Sequence, residues 1–260
     1  MESSTAVAVV ADFKYLKRYL QRFLNELRGL GQYEGELIII TSLFAPVFLL
    51  PPIWKDKNIT IVRQKKIKFD KFTRTILKNL ETGSEPNRFR TKQFQWHKLN
   101  LFDISLKKWK YIFYLDLNMY IHYDLNKILK VKPQDKIFAR CDSFPSFDRK
   151  LSSQFDQTND LFSKLNDSFD LETSNYFQTG ILYFDTSIIS KNTKKDLLEL
   201  AKEYPISITN EQGIMNLYFK FIKNLYYELP IEVDEYMTYF YWLIDSKKII
   251  VTKQNRIKYK

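Results

Sequence analysis

Cysteine is nearly absent from this chain. Cys141 is the only one in 260 residues, so no intramolecular disulfide can form. With just 2 histidines beside it, there is no Cys/His cluster of the kind that holds zinc. Both features favour a reducing, cytoplasmic compartment. Glycine is scarce as well, at 6 residues, and no flexible linker or internal repeat is visible, so one domain over residues 1–260 is the default. A secretory signal is missing: "MESSTAVAVVADF" lacks a basic n-region and turns acidic after a short apolar run. The stretch "LIIITSLFAPVFLLPPIW" (37–54) has the length of a membrane helix. However, Pro46, Pro51 and Pro52 interrupt it and its first half is β-branched, so it reads as a buried strand followed by an apolar loop. The end at "KYK" leaves room for a further domain in a longer chain.

What is present is ample material for a core: 45% hydrophobic and 16% aromatic residues exclude disorder. The net charge of +11 has two readings. A basic face holds nucleic acid, anionic lipid or a phosphorylated substrate, or else solvated lysines are simply spread over the surface. No nucleic-acid motif accompanies the charge.

A β-branched, alanine-rich run, "TAVAVVA" (5–11), predicts a first strand. In "DFKYLKRYLQRFLNELRGLG", Leu16, Tyr19, Leu20, Phe23, Leu24 and Leu27 recur at helical spacing, and Gly29 and Gly31 end the pattern. "ELIIITS" (36–42) and "NITIVRQ" (58–64) predict the next strands. Strand, helix, strand with short connections implies a parallel α/β sheet covered on both faces. Residues 65–92 read as basic and irregular, with "GSEPN" marking a loop, and a helix is expected from about Lys92 to Leu106. Strands are expected at 110–115, 135–142 and 175–185, with a polar segment at 143–175. Helices are expected at 193–205 and 209–222, then a short strand with a basic end in "SKKIIVTKQNRIKYK".

"KYIFYLDLNMYIHYDL" (110–125) sets Asp116 and Asn118 among apolar residues. A buried, unpartnered carboxylate costs several kcal/mol, so Asp116 needs a partner. In open parallel α/β sheets ligands bind beyond the carboxyl ends of the strands, and residues two apart in extended chain point the same way. Both oxygens can therefore converge on one cation or one sugar. The bland reading is a turn in which Asp and Asn bond nearby backbone. A haloacid-dehalogenase-type phosphatase also carries D-x-D after a strand, but near the start of its domain and with a second acid, which Asn118 is not.

"KLNLFDISLKKWKYIFYLDLNMYI" resembles the segment of family 8 glycosyltransferases in which a basic residue precedes a D-x-D, with Lys98 and Asp116 at that spacing. "YFQTGILYFD" is similar to the family's "FNSGVMVFN", "NEQGIMNLYF" to the "DQGILNTFF" of glycogenin-like members, and "AVVADFKYL" to their "TxxDxxY". These blocks lie in the family's order and span most of the chain.

The resemblance implies a GT-A fold, a mostly parallel Rossmann-like sheet flanked by helices. It also implies transfer of a hexose from a UDP-sugar to a hydroxyl of a glycan, protein or lipid acceptor, with retention at the anomeric carbon. Asp116 would bind ribose and, with Asn118, Mn²⁺ or Mg²⁺, held weakly because an amide oxygen is neutral. Lys98 would meet the diphosphate. The family's C-terminal "HxxGxxKPW" maps loosely onto Thr252, Asn255 and Lys258, keeping a phosphate-binding lysine but losing the metal-binding histidine. Asp12 and Tyr15 would form the base and ribose pocket, and Asp142 would touch donor sugar or acceptor. Gly180 and Gln178 would lie beside the donor sugar, and Glu211 with Gln212 would face the anomeric carbon.

Each has a structural alternative: a helix lysine, a strand bulge at Gly180, an acid complementing a helix dipole at Glu211, capped by Thr209 or Asn210. The runner-up function is a catalytically weakened sugar-nucleotide or glycan binding module. The third is a nucleic-acid or anionic-surface binder, with nucleic acid not expected as a partner. Homodimerisation and peripheral contact with a membrane stay open.

Overall fold

A computed structural model describes residues 5–80 and 92–255. The "GSEPN" stretch and Lys258 lie outside the described residues. Four parallel strands form one half of the main sheet: β1 (Thr5–Val10), β2 (Leu37–Ser42), β3 (Ile59–Gln64) and β4 (Tyr111–Leu115). β6 (Ile137–Cys141), β7 (Phe177–Asp185) and β8 (Tyr226–Glu228) complete it, in the order β3-β2-β1-β4-β7-β6-β8. Only β7 runs against its neighbours β4 and β6. The architecture is thus the mostly parallel α/β sheet that the strand–helix–strand pattern implies.

Strand alternation divides the core. Ala6, Ala8 and Val10 of β1 face the layer that holds Trp96, Leu99, Leu197 and Ile214. Val7 and Val9 face the layer that holds Leu16, Leu20 and Phe23. Helix α1 (Phe13–Arg28) covers this second face with the periodic residues read from sequence, and Asp12 caps it by accepting the Tyr15 N–H at 2.7 Å. A smaller sheet also packs there, in the order β5-β11-β10-β9, from β5 (Tyr120–Ile121), β9 (Glu232–Val233), β10 (Tyr236–Trp242) and β11 (Ile249–Gln254).

The strand expected at the start of the 37–54 stretch is β2, but the expected apolar loop carries a 3-10 turn (Val47–Leu49) and the short helix α2 (Pro51–Lys55). No helix among the described residues is long and apolar enough to cross a membrane.

Several expectations are corrected. The stretch read as irregular contains α3 (Lys71–Asn79), whose first turn is held by Asp70 accepting the Thr73 N–H at 2.8 Å. The helix expected over 92–106 is instead a pair of 3-10 segments, Gln93–Phe102 and Ile104–Lys108. Trp96 through Phe102 are all buried, so no single apolar face organises an α-helix there. The chain then forms α4 (Asn126–Leu129), and the polar 143–175 segment hides α5 (Leu161–Ser168), anchored by Leu165. α6 (Thr193–Glu203) matches its expectation. The last expected helix is α7 (Glu211–Asn216), running on as a π-helix over Leu217–Ile222.

Candidate active site at the carboxyl edge of the sheet

β4 delivers Asp116 just past its last residue, and the Asp116 N–H donates to the Gly180 carbonyl of β7 at 2.8 Å. The carboxylate is surrounded by donors. Oδ1 accepts from the Tyr114 hydroxyl at 2.6 Å and from Lys98 Nζ at 3.0 Å. Oδ2 accepts from Lys253 Nζ at 2.7 Å. Burial alone would raise the pKa of Asp116, but the ammonium groups of Lys253 and Lys98 outweigh it and hold the carboxyl well below its usual range. Asp116 therefore has partners, two from the middle of the chain and one from near its C-terminal end.

Lys98, buried in its 3-10 segment, also reaches Glu211 Oε1 at 3.1 Å and the Thr179 carbonyl at 3.2 Å. An ammonium has three N–H donors, and all are committed here to protein acceptors. Burial works against its charge, and Asp116 and Glu211 overcome that, holding its pKa above the usual lysine range. In this arrangement Lys98 orients two carboxylates rather than presenting a free cation to a diphosphate.

Glu211 opens α7 at 1% exposure. Oε1 also accepts from the Thr179 hydroxyl at 2.9 Å, whereas Oε2 is buried and accepts no hydrogen bond among the described residues. Neither expected cap is a side-chain cap. Asn210 takes a left-handed φ of 58° and turns its amide to Gln95, donating at 2.7 Å. A non-glycine residue at positive φ costs about 1–3 kcal/mol, and here it directly precedes the buried acid. Gln212 accepts the Thr179 N–H at 3.0 Å and donates to Gln154 at 2.8 Å.

Gly180 lies against the flexible end of Met119, which a side chain there would have to displace. A Cβ built there would lie 2.5 Å from Met119 Cε and 3.4 Å from Asp116 Oδ2. Gln178, two residues earlier, accepts from the Tyr239 hydroxyl of β10 at 2.9 Å, and with Asp142 it lines a small cavity between the two sheets. Asp142 Oδ2 accepts from the Tyr176 hydroxyl at 2.6 Å and from Arg149 at 3.4 Å. At the other flank stands Tyr15 at the start of α1, partly exposed, with its pKa raised above the phenol range by burial and then by the Asp116 carboxylate. Asp12, expected in the base and ribose pocket, is the N-cap of α1.

Of the tail residues aligned loosely above, Thr252 and Asn255 are described and Lys258 is not. Thr252 turns away from the site: it is fully buried and bonds His122 Nε2 at 2.9 Å, so one of the two histidines does lie against this strand. The next residue points to the opposite face. Lys253 Nζ stands 2.7 Å from Asp116 Oδ2 and 3.0 Å from Asn118 Oδ1, between the two oxygens expected to hold a cation. No group of three or more Asp, Glu, His or Cys residues able to hold a metal occurs among the described residues. One carboxylate, one amide and an ammonium lodged between them do not fit a divalent ion.

The structure thus gathers Lys98, Asp116, Asn118, Gly180, Glu211 and Gln212 into one cluster, with Tyr15 at its rim and Gln178 and Asp142 along one flank. Sequence reasoning missed Lys253, Thr179 and Tyr239. For Lys253 a signal existed: sliding the tail alignment by one residue puts a cation where the histidine is missing.

No protein-family model and no curated protein sequence matches the chain. Solved structures do. The galactosyltransferase LgtC in complex with donor and acceptor sugar analogues is 12% identical, with a TM-score of 0.56 over 95% of this chain and 86% of that one. Mouse xyloside xylosyltransferase 1 is 10% identical, with a TM-score of 0.53 over 96% and 97%. The S. cerevisiae mannosyltransferase Ktr4p in complex with GDP is 10% identical, with a TM-score of 0.57 over 88% and 69%. The fold is that of GT-A glycosyltransferases.

Proposed function

We propose that this chain transfers a hexose from a nucleotide-sugar donor, UDP-linked by its family 8 resemblance, to a hydroxyl acceptor with retention of configuration. The observation that carries the reading is the buried Lys98–Asp116–Glu211 cluster, packed against Gly180 at the carboxyl edge of a GT-A sheet. Ligands of such sheets bind at that edge. Tyr15 then stacks on the base, Asp116 meets the ribose, and Gln178 with Asp142 meets donor sugar or acceptor.

In the transfer, the bond from the anomeric carbon to the diphosphate oxygen breaks and its electron pair stays on that oxygen. The acceptor oxygen bonds the same carbon, and its proton passes to an oxygen of the departing diphosphate. Glu211 and Gln212 line the face where the anomeric carbon would sit. The unpartnered Glu211 Oε2 suits a sugar hydroxyl, since a buried carboxylate oxygen without a donor is costly.

The acceptor fits a membrane surface. Phe44, Phe48, Leu49 and Trp54 follow β2 and are 90%, 66%, 58% and 67% exposed. Lys65, Lys66 and Lys68 follow β3 and are exposed too. The two strands are parallel, so both groups emerge at the edge that carries the site. Apolar side chains flanked by cations match an anionic bilayer.

The test is release of nucleoside diphosphate from a panel of UDP- and GDP-sugars. Turnover is expected with one donor and should fall roughly a hundred-fold in Glu211→Asp, which withdraws the carboxylate by one methylene. Nucleotide binding without any turnover would support the binding-module alternative instead.

A further inference from the structure

We propose that the Lys253 ammonium takes the place of the divalent cation in this site, so that a donor diphosphate is held there by a lysine hydrogen bond without a metal. The inference rests on the nucleotide-sugar reading above. Its basis is the position of Nζ, 2.7 Å from Asp116 Oδ2 and 3.0 Å from Asn118 Oδ1.

Three further observations point the same way. First, the position is built by the fold. Antiparallel pairing sets Val251 and Thr252 of β11 against Ile121 and Tyr120 of β5, which brings the following residue over Asn118. The Lys253 side chain is only 21% exposed.

Second, the charges close without a metal. Lys98 and Lys253 balance Asp116 and Glu211, so a dication entering between Asp116 and Asn118 would meet an ammonium already there. Asn118 makes sense in this light: a neutral amide oxygen satisfies one N–H of a lysine, where a metal site would call for a second carboxylate.

Third, the ammonium has donor capacity left. Lys253 uses one N–H on Asp116 and one on Asn118, and no other acceptor for it occurs among the described residues. The remaining donor can bond a phosphate oxygen and stabilise the charge that develops there as the anomeric bond breaks. Lys98, whose donors are all committed, cannot take this role.

The experiment is calorimetric titration of the whole chain with Mn²⁺ alone, and with UDP or GDP in EDTA and in excess Mn²⁺. Wild type is expected to bind no Mn²⁺ and to bind nucleotide equally in both media. Lys253→Met should weaken nucleotide binding roughly ten- to a hundred-fold, the range for a hydrogen bond to a charged group. The double variant Asn118→Asp with Lys253→His should acquire Mn²⁺ binding and make nucleotide binding depend on it. Thermal melts of both variants separate loss of the site from loss of the fold. Mn²⁺ binding by wild type, with nucleotide binding that requires it, overturns the inference and leaves the glycosyltransferase reading standing. Failure of both nucleotides to bind in either medium overturns that reading, and this inference with it.

Discussion

Asp116 illustrates how one side chain can be both fold and site. It bonds Tyr114, Lys98 and Lys253 at once, so Asp116→Ala leaves Lys98 and Lys253 with Glu211 as their one remaining counter-charge in a largely buried place. Breaking a buried pair costs about 3–5 kcal/mol, and urea unfolding of this variant should show a loss of that order. Its binding data must therefore be read beside its stability. Acid sensitivity should come in two stages. Burial pushes His97 down to about 4, with help from the Lys66 and Lys194 charges, so the unfolded state takes up the proton first. Stability is expected to fall as pH drops from about 6.5 to about 4, with His122, shifted the same way by burial, contributing. His97→Phe should flatten much of that slope in urea melts run across the range. Asp116, held low, keeps its contribution until the pH falls below the ordinary carboxylate value of 3.8.

At the level of the element, β7 is the strand on which the site depends: all nine of its residues are buried, and Gly180 sits where the Met119 methyl group leaves little room for a side chain. Gly180→Ala should destabilise by about 1–3 kcal/mol through the clash with Met119 Cε. Adding Met119→Ala should recover part of the stability in a double-mutant cycle, because the pair shares one cavity. Most main-sheet strands were legible because β-branched runs such as Leu37–Ser42 are buried on both faces and leave an unbroken apolar signal. The small sheet was largely not, since β5 is two residues long and β10 mixes buried and half-exposed aromatics. The 3-10 run around Lys98 was misread as an α-helix because burial on every side erases the amphipathic period. The Lys98–Asp116–Glu211 cluster was visible only as separate motifs. That Lys98 orients its partners, and that Lys253 reaches Asp116 across 137 positions, are products of strand pairing, which no local pattern encodes.

For the molecule as a whole, the excess of positive charge is given a direction by the exposed apolar loop beside it. The chain should sediment with vesicles containing phosphatidylserine and not with neutral ones, more weakly as salt rises. Phe44→Ser with Trp54→Ser should reduce that binding about ten-fold or more, as expected for withdrawing large apolar side chains from the interface. Assembly of the site also has an order in time. A ribosome makes Asp116 and Asn118 long before β11, and until that strand docks the two oxygens have no lysine between them. Translation through the full length of the main sheet is thus complete before Lys253 can join Asp116 and Asn118, so a nascent chain stalled ahead of Lys253 carries the scaffold with those two oxygens unbridged.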